Sequence, residues 1–123
     1  MPTLEPGLAG NAERTVTEDQ LAIALGSGDV PVFGTPALLA LMEQAAVDAV
    51  RSALPNGSTS VGASVELQHI APSYAGAQVR ASARLVAVEG RRLRFEIEAF
   101  EGETLIGRAT HARAVVDRAR FSV

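Results

Sequence analysis

Pro36-Ala-Leu-Leu-Ala-Leu-Met-Glu-Gln-Ala-Ala-Val-Asp-Ala-Val50 is the one stretch of this chain that reads as a long helix, and its reading decides the fold. At 3.6 residues per turn, Leu39, Met42, Ala46, Ala49 and Val50 share an apolar stripe. Gln44, Asp48 and Arg51 fall on the other side and form a solvated face. Glu43 falls inside the stripe, four residues after Leu39 and three before Ala46. A carboxylate in that position is costly unless it is paired or hydrogen-bonded, and such groups cluster at functional sites. The helix has a start signal: Thr35 suits the N-cap, and Pro36 suits the first helical position. It runs to about Ala53 and stops at Leu54-Pro-Asn-Gly57.

Outward from the helix, the pattern changes to period two. Before it, residues 1–12 read as a loose lead-in, with Pro2, Pro6, Gly7 and Gly10. At least one strand is expected within Thr15–Leu25, followed by a turn at Gly26-Ser-Gly-Asp-Val-Pro31. After the helix, Val61, Ala63, Val65, Leu67 and His69 share one strand parity. Val79, Ala81, Ala83 and Leu85 do the same on the next strand, and Leu93, Phe95, Ile97 and Ala99 on the one after. A last strand covers about Leu105–Val116. The expected order is strand, helix, then four strands in a meander. One helix can bury its stripe only if the sheet wraps it. The expected fold is therefore α+β: a curved antiparallel sheet around a central helix, the hot-dog arrangement, as a single domain over residues 13–123.

Composition narrows the chemistry. The chain has 123 residues, 47% hydrophobic and 20% charged, as an ordinary single domain does. Its net charge of −3 argues against a nucleic-acid binder, which needs a basic footprint. No apolar run reaches membrane-spanning length and no signal peptide is evident at the start, so a cytoplasmic protein without a membrane partner is expected. There is no Cys, which excludes thiol nucleophiles and thiolate metal sites. All eleven basic residues are Arg, so Schiff-base chemistry and lysine-anchored cofactors are excluded as well. The two histidines lack metal-ligand spacing, and neither a metal nor a cofactor is expected. Catalysis must come from carboxylates, His, hydroxyls and backbone amides.

Those groups converge. His69 ends its strand on the apolar parity, so it is expected to share an interior with Glu43. A carboxylate beside an imidazole is a standard general-base arrangement. Thr35 stands at the helix N-terminus, where free N–H groups favour developing negative charge. Gly62, on the His69 strand, allows close approach of a ligand or backbone. His111, Arg113 and Val115 share a parity on the last strand, and the Arg113 fork suits a ligand phosphate. Each feature also has a plain structural reading. Glu43 could reach solvent from the stripe's edge. His69 could be a half-buried structural residue, and Thr35 only a helix cap. Gly62 could mark a bulge, and Arg113 an ordinary ion-pair partner.

Four segments carry a resemblance to a known family. They are Phe33-Gly-Thr-Pro-Ala-Leu-Leu-Ala-Leu-Met-Glu-Gln-Ala-Ala46, Ser60-Val-Gly-Ala-Ser-Val-Glu-Leu-Gln-His69 with Ala71-Pro72, Val88-Glu-Gly-Arg-Arg-Leu93, and Ile106-Gly-Arg-Ala-Thr-His-Ala-Arg-Ala-Val115. The chain resembles the fluoroacetyl-CoA thioesterase-like family of hot-dog thioesterases over about residues 14–121. The resemblance implies an acyl-CoA substrate, with catalytic Thr, Glu and His at Thr35, Glu43 and His69. It implies a glycine near the thioester carbonyl at Gly62. Phe33 and Arg113 join Gly62 as expected substrate contacts. Two departures stand out. Ala112 occupies the middle of His111-Ala-Arg113, where the family commonly has Glu. The phenylalanine-rich lid of the fluoroacetyl-specific enzyme is reduced here to Phe33, which points to a broader short- to medium-chain acyl group. A homodimer is expected too, because a five- or six-stranded sheet around one helix leaves an exposed edge. Two other functions fit the same residues: a non-catalytic acyl-CoA or small-ligand binding module, and a hydratase or dehydratase on this fold.

Overall fold

The computed structural model describes residues 3–121. The first strand, β1 (Ala9–Thr15), is followed by a 3-10 turn at Glu18–Gln20 and a single-turn helix, α1 (Ala22–Leu25). The long helix α2 (Thr35–Val50) comes next, then β2 (Ser58–His69), β3 (Gln78–Glu89), β4 (Arg92–Glu101) and β5 (Thr104–Asp117). A last 3-10 turn covers Arg118–Phe121. All five strands join one antiparallel sheet in the order β1-β3-β4-β5-β2. The sheet curls around α2, which is the expected hot-dog fold.

The alternating strands form as their sequence dictates. Val79, Ala81, Ala83 and Leu85 on β3, and Leu93, Phe95, Ile97 and Ala99 on β4, all face α2 and are buried. Against them the helix buries Leu38, Leu41, Met42, Ala45, Ala46, Ala49 and Val50. Burial of such side chains contributes roughly 1.5–3 kcal/mol for each large aliphatic or aromatic residue. The stripe is rotated from the expected one. Leu38, Leu41 and Ala45 lie at its centre, while Leu39 and Glu43 lie on its margin.

Three expectations need correction. The meander has three strands, β3-β4-β5; β2 crosses over to pair with β5 and ends the sheet. The long Ile70–Ala77 connection permits that crossing, which alternation alone does not reveal. The strand expected within Thr15–Leu25 lies earlier, at Ala9–Thr15, so the loose lead-in ends before residue 12. Gly10 explains how β1 fits. A Cβ there would collide with the α2 backbone at Ala45 and Ala49, so only glycine lets the strand lie this close to the helix. The other part of the lead-in, Met1 and Pro2, lies outside the described residues.

The third correction concerns β2. Its register against β5 shifts between Gly62 and Ser64, leaving Ala63 as the extra residue of a bulge. A bulge reverses the face that following side chains take. Val65, Leu67 and His69 keep the expected inward parity, opposite His111, Ala109 and Gly107. Before the bulge the inward residues are Ser60 and Gly62, not Val61 and Ala63.

Candidate active site

Thr35 and His69 meet at one end of the helix. Gly34 is the N-cap of α2, Thr35 the first helical residue and Pro36 the second. The Thr35 hydroxyl therefore does not cap the helix. It lies 2.8 Å from His69 Nδ1 instead. Backbone bonds fix both partners: Phe33 N–H donates to Ser73 O at 2.8 Å, Gly34 N–H to Gln20 O at 2.9 Å, and Ile70 N–H to Ile106 O at 2.7 Å. His69 Nε2 is buried and has no hydrogen-bond partner among the described residues. Burial pushes the imidazole below its ordinary pKa of 6.5, with the Ala71 backbone opposing. A neutral ring near pH 7 suits a proton acceptor.

The pair lines a cleft of about 380 Å³. Its walls include Ala22, Val30, Val32, Phe33, Ile70 and Pro72. Phe33 is 1% exposed, so it forms the floor rather than a flap. Val30 and Ile70 remain about half exposed at the cleft.

Glu43 belongs to a second cluster. Two turns further along α2, about 12 Å by helical rise, its side chain is 39% exposed and its Oε2 accepts from Arg113 Nη1 at 3.2 Å. Gly62 faces the same oxygen. A Cβ at that position would clash with Glu43 Oε2, so glycine makes the room for the carboxylate. Arg113 is buried at 6% exposure. Its Nε donates to Ser60 Oγ at 2.9 Å, its Nη2 to Ser60 O at 3.1 Å, and its Nη1 to His111 Nε2 at 3.2 Å as well as to Glu43. The Arg113 donors are turned inward onto protein acceptors.

His111 is 3% exposed, and its Nδ1 lies 2.7 Å from Ser64 O. A carbonyl only accepts, so Nδ1 carries the proton and Nε2 presents its lone pair to Arg113. Burial is the main cause lowering the His111 pKa; the Ser64 carbonyl opposes it, Arg113 adds to it, and Glu43 opposes it.

The structure therefore joins Thr35 to His69, and Glu43 to Gly62, but does not bring Glu43 to His69 within one chain. Glu43 was expected in a shared interior; the rotated helix stripe puts it at the margin, opposite β2 and β5. Ser60 and His111 complete the second cluster. The signal for His111 was visible as a polar residue on an apolar strand parity. Ser60 gave none, because only the bulge turns it inward. Among the described residues, no group of three or more His, Asp or Glu is gathered as metal ligands. No helix among them is long and apolar enough to cross a membrane.

Residues 16–119 match the family described as fluoroacetyl-CoA-specific thioesterase. The chain belongs to this family. A fluoroacetyl-CoA thioesterase of Streptantibioticus cattleyicolor is 38% identical over 91 residues, which cover 74% of this chain and 66% of that protein. The matched stretch thus falls just short of two thirds of the relative's length. A solved structure of a fluoroacetyl-CoA thioesterase superposes with a TM-score of 0.89 at 31% identity, covering 98% of this chain and 93% of the other. A Thermus thermophilus thioesterase superfamily member gives a TM-score of 0.88 at 29% identity, with 98% and 89% covered.

Proposed function

We propose that this chain hydrolyses short- to medium-chain acyl-CoA thioesters to the free acid and coenzyme A. The observation that carries the reading is the Thr35–His69 pair on the wall of an apolar cleft, in a chain of a thioesterase family. An acyl chain fits the aliphatic wall of Val30, Val32 and Ile70, and the carbonyl then lies near the polar pair. Phe33 is the only phenylalanine in the segment that precedes the helix, and it is buried. That supports a broader acyl group than fluoroacetyl.

Glu43 is the working carboxylate, partly exposed and held by Arg113. Two routes use it. It attacks the carbonyl carbon directly, or it takes a proton from water that attacks instead. In both, the C–S bond breaks and the departing thiolate takes up a proton. Thr35 holds the His69 ring through Nδ1 and leaves the buried Nε2 as the nitrogen free to take a proton once substrate is seated. Gly62 makes the room that the carboxylate itself occupies. Direct attack leaves a Glu43–acyl anhydride that water must then open. Single turnover in ¹⁸O water reveals this route when water attacks the Glu43 carbonyl, because the first acid released then carries an unlabelled Glu43 oxygen, which activated water never delivers.

Two clusters on one chain imply a second chain. β2 is a twelve-residue edge strand, with Val61 and Val65 more than a third exposed. Such an edge invites pairing across a two-fold axis. In an antiparallel β2–β2 pair, a register with Gly62 opposite the second copy's His69 places Glu43 beside that copy's Thr35–His69 pair. The active dimer then holds two composite sites. A coenzyme A thioester as substrate carries the expected cytoplasmic location with it.

The test is thiol release from a panel of acyl-CoAs, acetyl to decanoyl, with enoyl-CoA absorbance followed in parallel. Release peaking at short to medium chains supports the proposal. Micromolar binding without release puts the binding module first, and loss of the enoyl double bond puts the hydratase first.

A further inference from the structure

Arg113 spends one of its two Nη1 hydrogens on Glu43 and the other on a neutral imidazole, and the second choice is unusual. The ordinary partner of a buried guanidinium is a second carboxylate or a carbonyl. Here Arg113 Nη1 lies 3.2 Å from both Glu43 Oε2 and His111 Nε2. We propose that His111 is a positioning residue: its Nε2 lone pair fixes the Arg113 guanidinium that aims the Glu43 carboxylate. The inference rests on reading Glu43 as the working carboxylate.

The surroundings of His111 leave it one job. From β2, the Ser64 carbonyl takes the Nδ1 proton and so dictates the tautomer. From β4, the Phe95 ring lies 6.1 Å away, tilted by 31°, and supplies an apolar wall. From β5 comes Arg113, and from α2 Glu43, whose Oε2 is 4.0 Å from Nε2. Those are the two charged groups that face the ring. With both ring nitrogens committed, a buried His111 neither reaches substrate nor sees bulk water. It can only hold its neighbours.

This arrangement has a built-in sensitivity to protons. A proton on Nε2 removes the acceptor that Arg113 uses and places two cationic donors face to face. The same proton brings a donor toward Glu43, now 4.0 Å away. Protonation therefore trades the Arg113–Glu43 contact for a His111–Glu43 contact and moves the carboxylate. Neutral His111 and the charged Arg113–Glu43 pair belong to one state; charged His111 belongs to another. Burial favours the first near neutral pH.

Three variants and one spectrum test the idea. His111→Phe keeps the ring volume and removes the acceptor. His111→Gln keeps an acceptor oxygen near Nε2 and removes the titration. Turnover of the fastest acyl-CoA of the panel should fall about tenfold or more in His111→Phe, with KM changed less than about threefold, since only the aim of Glu43 is lost. His111→Gln should recover most of kcat, and its acid limb should move to lower pH. Adding Glu43→Gln to His111→Phe should cause no further loss beyond Glu43→Gln alone. If Glu43→Gln leaves turnover intact, the reading of the site itself fails. If Glu43→Gln abolishes turnover while His111→Phe matches wild type, the positioning role alone is overturned. Should His111→Phe not fold, the wild-type imidazole ¹⁵N shifts still decide: a neutral Nδ1–H tautomer at pH 7 supports the proposal, and an Nε2–H tautomer overturns it.

Discussion

The two halves of the candidate site are built in opposite ways. Thr35 and His69 share one hydrogen bond at the wall of an open cleft, and His69 Nε2 has no hydrogen-bond partner among the described residues. Glu43 is anchored by a network in which Arg113 and His111 are both buried and their nitrogens are engaged. The first half has spare bonding capacity and the second has almost none. A site that must receive a carbonyl and pass protons needs the first kind. A carboxylate that must stay charged and aimed needs the second. The proposed composite site would bring one kind from each copy together.

The strongest way to break the comparison is to mix variants. Glu43→Gln and His69→Ala should each lower turnover by roughly 10²-fold or more. If each working site takes Glu43 from one copy and His69 from the other, a 1:1 refolded mixture of the two should recover about a quarter of wild-type activity. Half of the dimers are mixed, and each mixed dimer has one intact site of its two. No recovery on mixing would place both residues in one chain's site and end the composite reading. Light scattering should show about twice the 12.8 kDa chain mass, and the β2 edge variant Val65→Lys should lower both dimer content and turnover.

A smaller effect sharpens the anchored half. Gly62→Ala places a methyl against Glu43 Oε2 and should pull the carboxylate away from Arg113. Turnover should fall roughly 10- to 100-fold, with the melting temperature lowered only slightly because Glu43 can swing to solvent. Arg113→Met should cost more stability, about 2 kcal/mol. That is below the usual cost of breaking a fully buried pair, since Glu43 is partly exposed. A Gly62→Ala protein with full activity would remove Gly62 from the site.

In the open half, Thr35 makes a finer contrast. Thr35→Ser keeps the hydroxyl that meets Nδ1 and should retain most activity. Thr35→Val removes it and should lose about tenfold through a misoriented ring, with little change in stability because Gly34, not Thr35, is the cap. Equal turnover in the two variants would show that the hydroxyl does not serve the ring.

The same contrast governs what the sequence discloses. Val79 to Leu85 on β3 and Leu93 to Ala99 on β4 alternate as expected, and the register shifts only beyond them, between Leu85 and Ala87 and between Ala99 and Phe100. Glu43, His69 and Thr35 are polar residues in places that packing does not explain, so they stand out from sequence. What remained hidden depends on two kinds of long-range geometry. The β2 bulge reverses a face without any break in alternation, and it alone brings Ser60 and Gly62 inward. The crossover of β2 past β3 and β4 puts Ser60 and Ser64 beside Arg113 and His111, about fifty residues later in the chain. No local pattern encodes either. Thr35 does not cap the helix for a related reason: its hydroxyl has a better partner, His69, that only the fold brings near.

The smallest expected effect separates the two halves by pH. Both histidines have pKa values lowered by burial from the ordinary 6.5. In the folded chain they resist protons, while in the unfolded chain they accept them as pH falls through 6.5. The unfolded state then binds more protons, so the stabilisation is fully present above pH 6.5 and is lost as pH falls toward the folded values. Each such proton can change stability by at most about 1.4 kcal/mol per pH unit. The closed half should dominate, because His111 is fully enclosed and His69 stands at a cleft. Urea midpoints at pH 7.5 and 5.5 should therefore differ clearly in wild type and in His69→Gln, and much less in His111→Gln. If His69→Gln flattens the dependence and His111→Gln does not, the histidine at the cleft carries the burial penalty. The contrast between an open and a locked half would then have to be reversed.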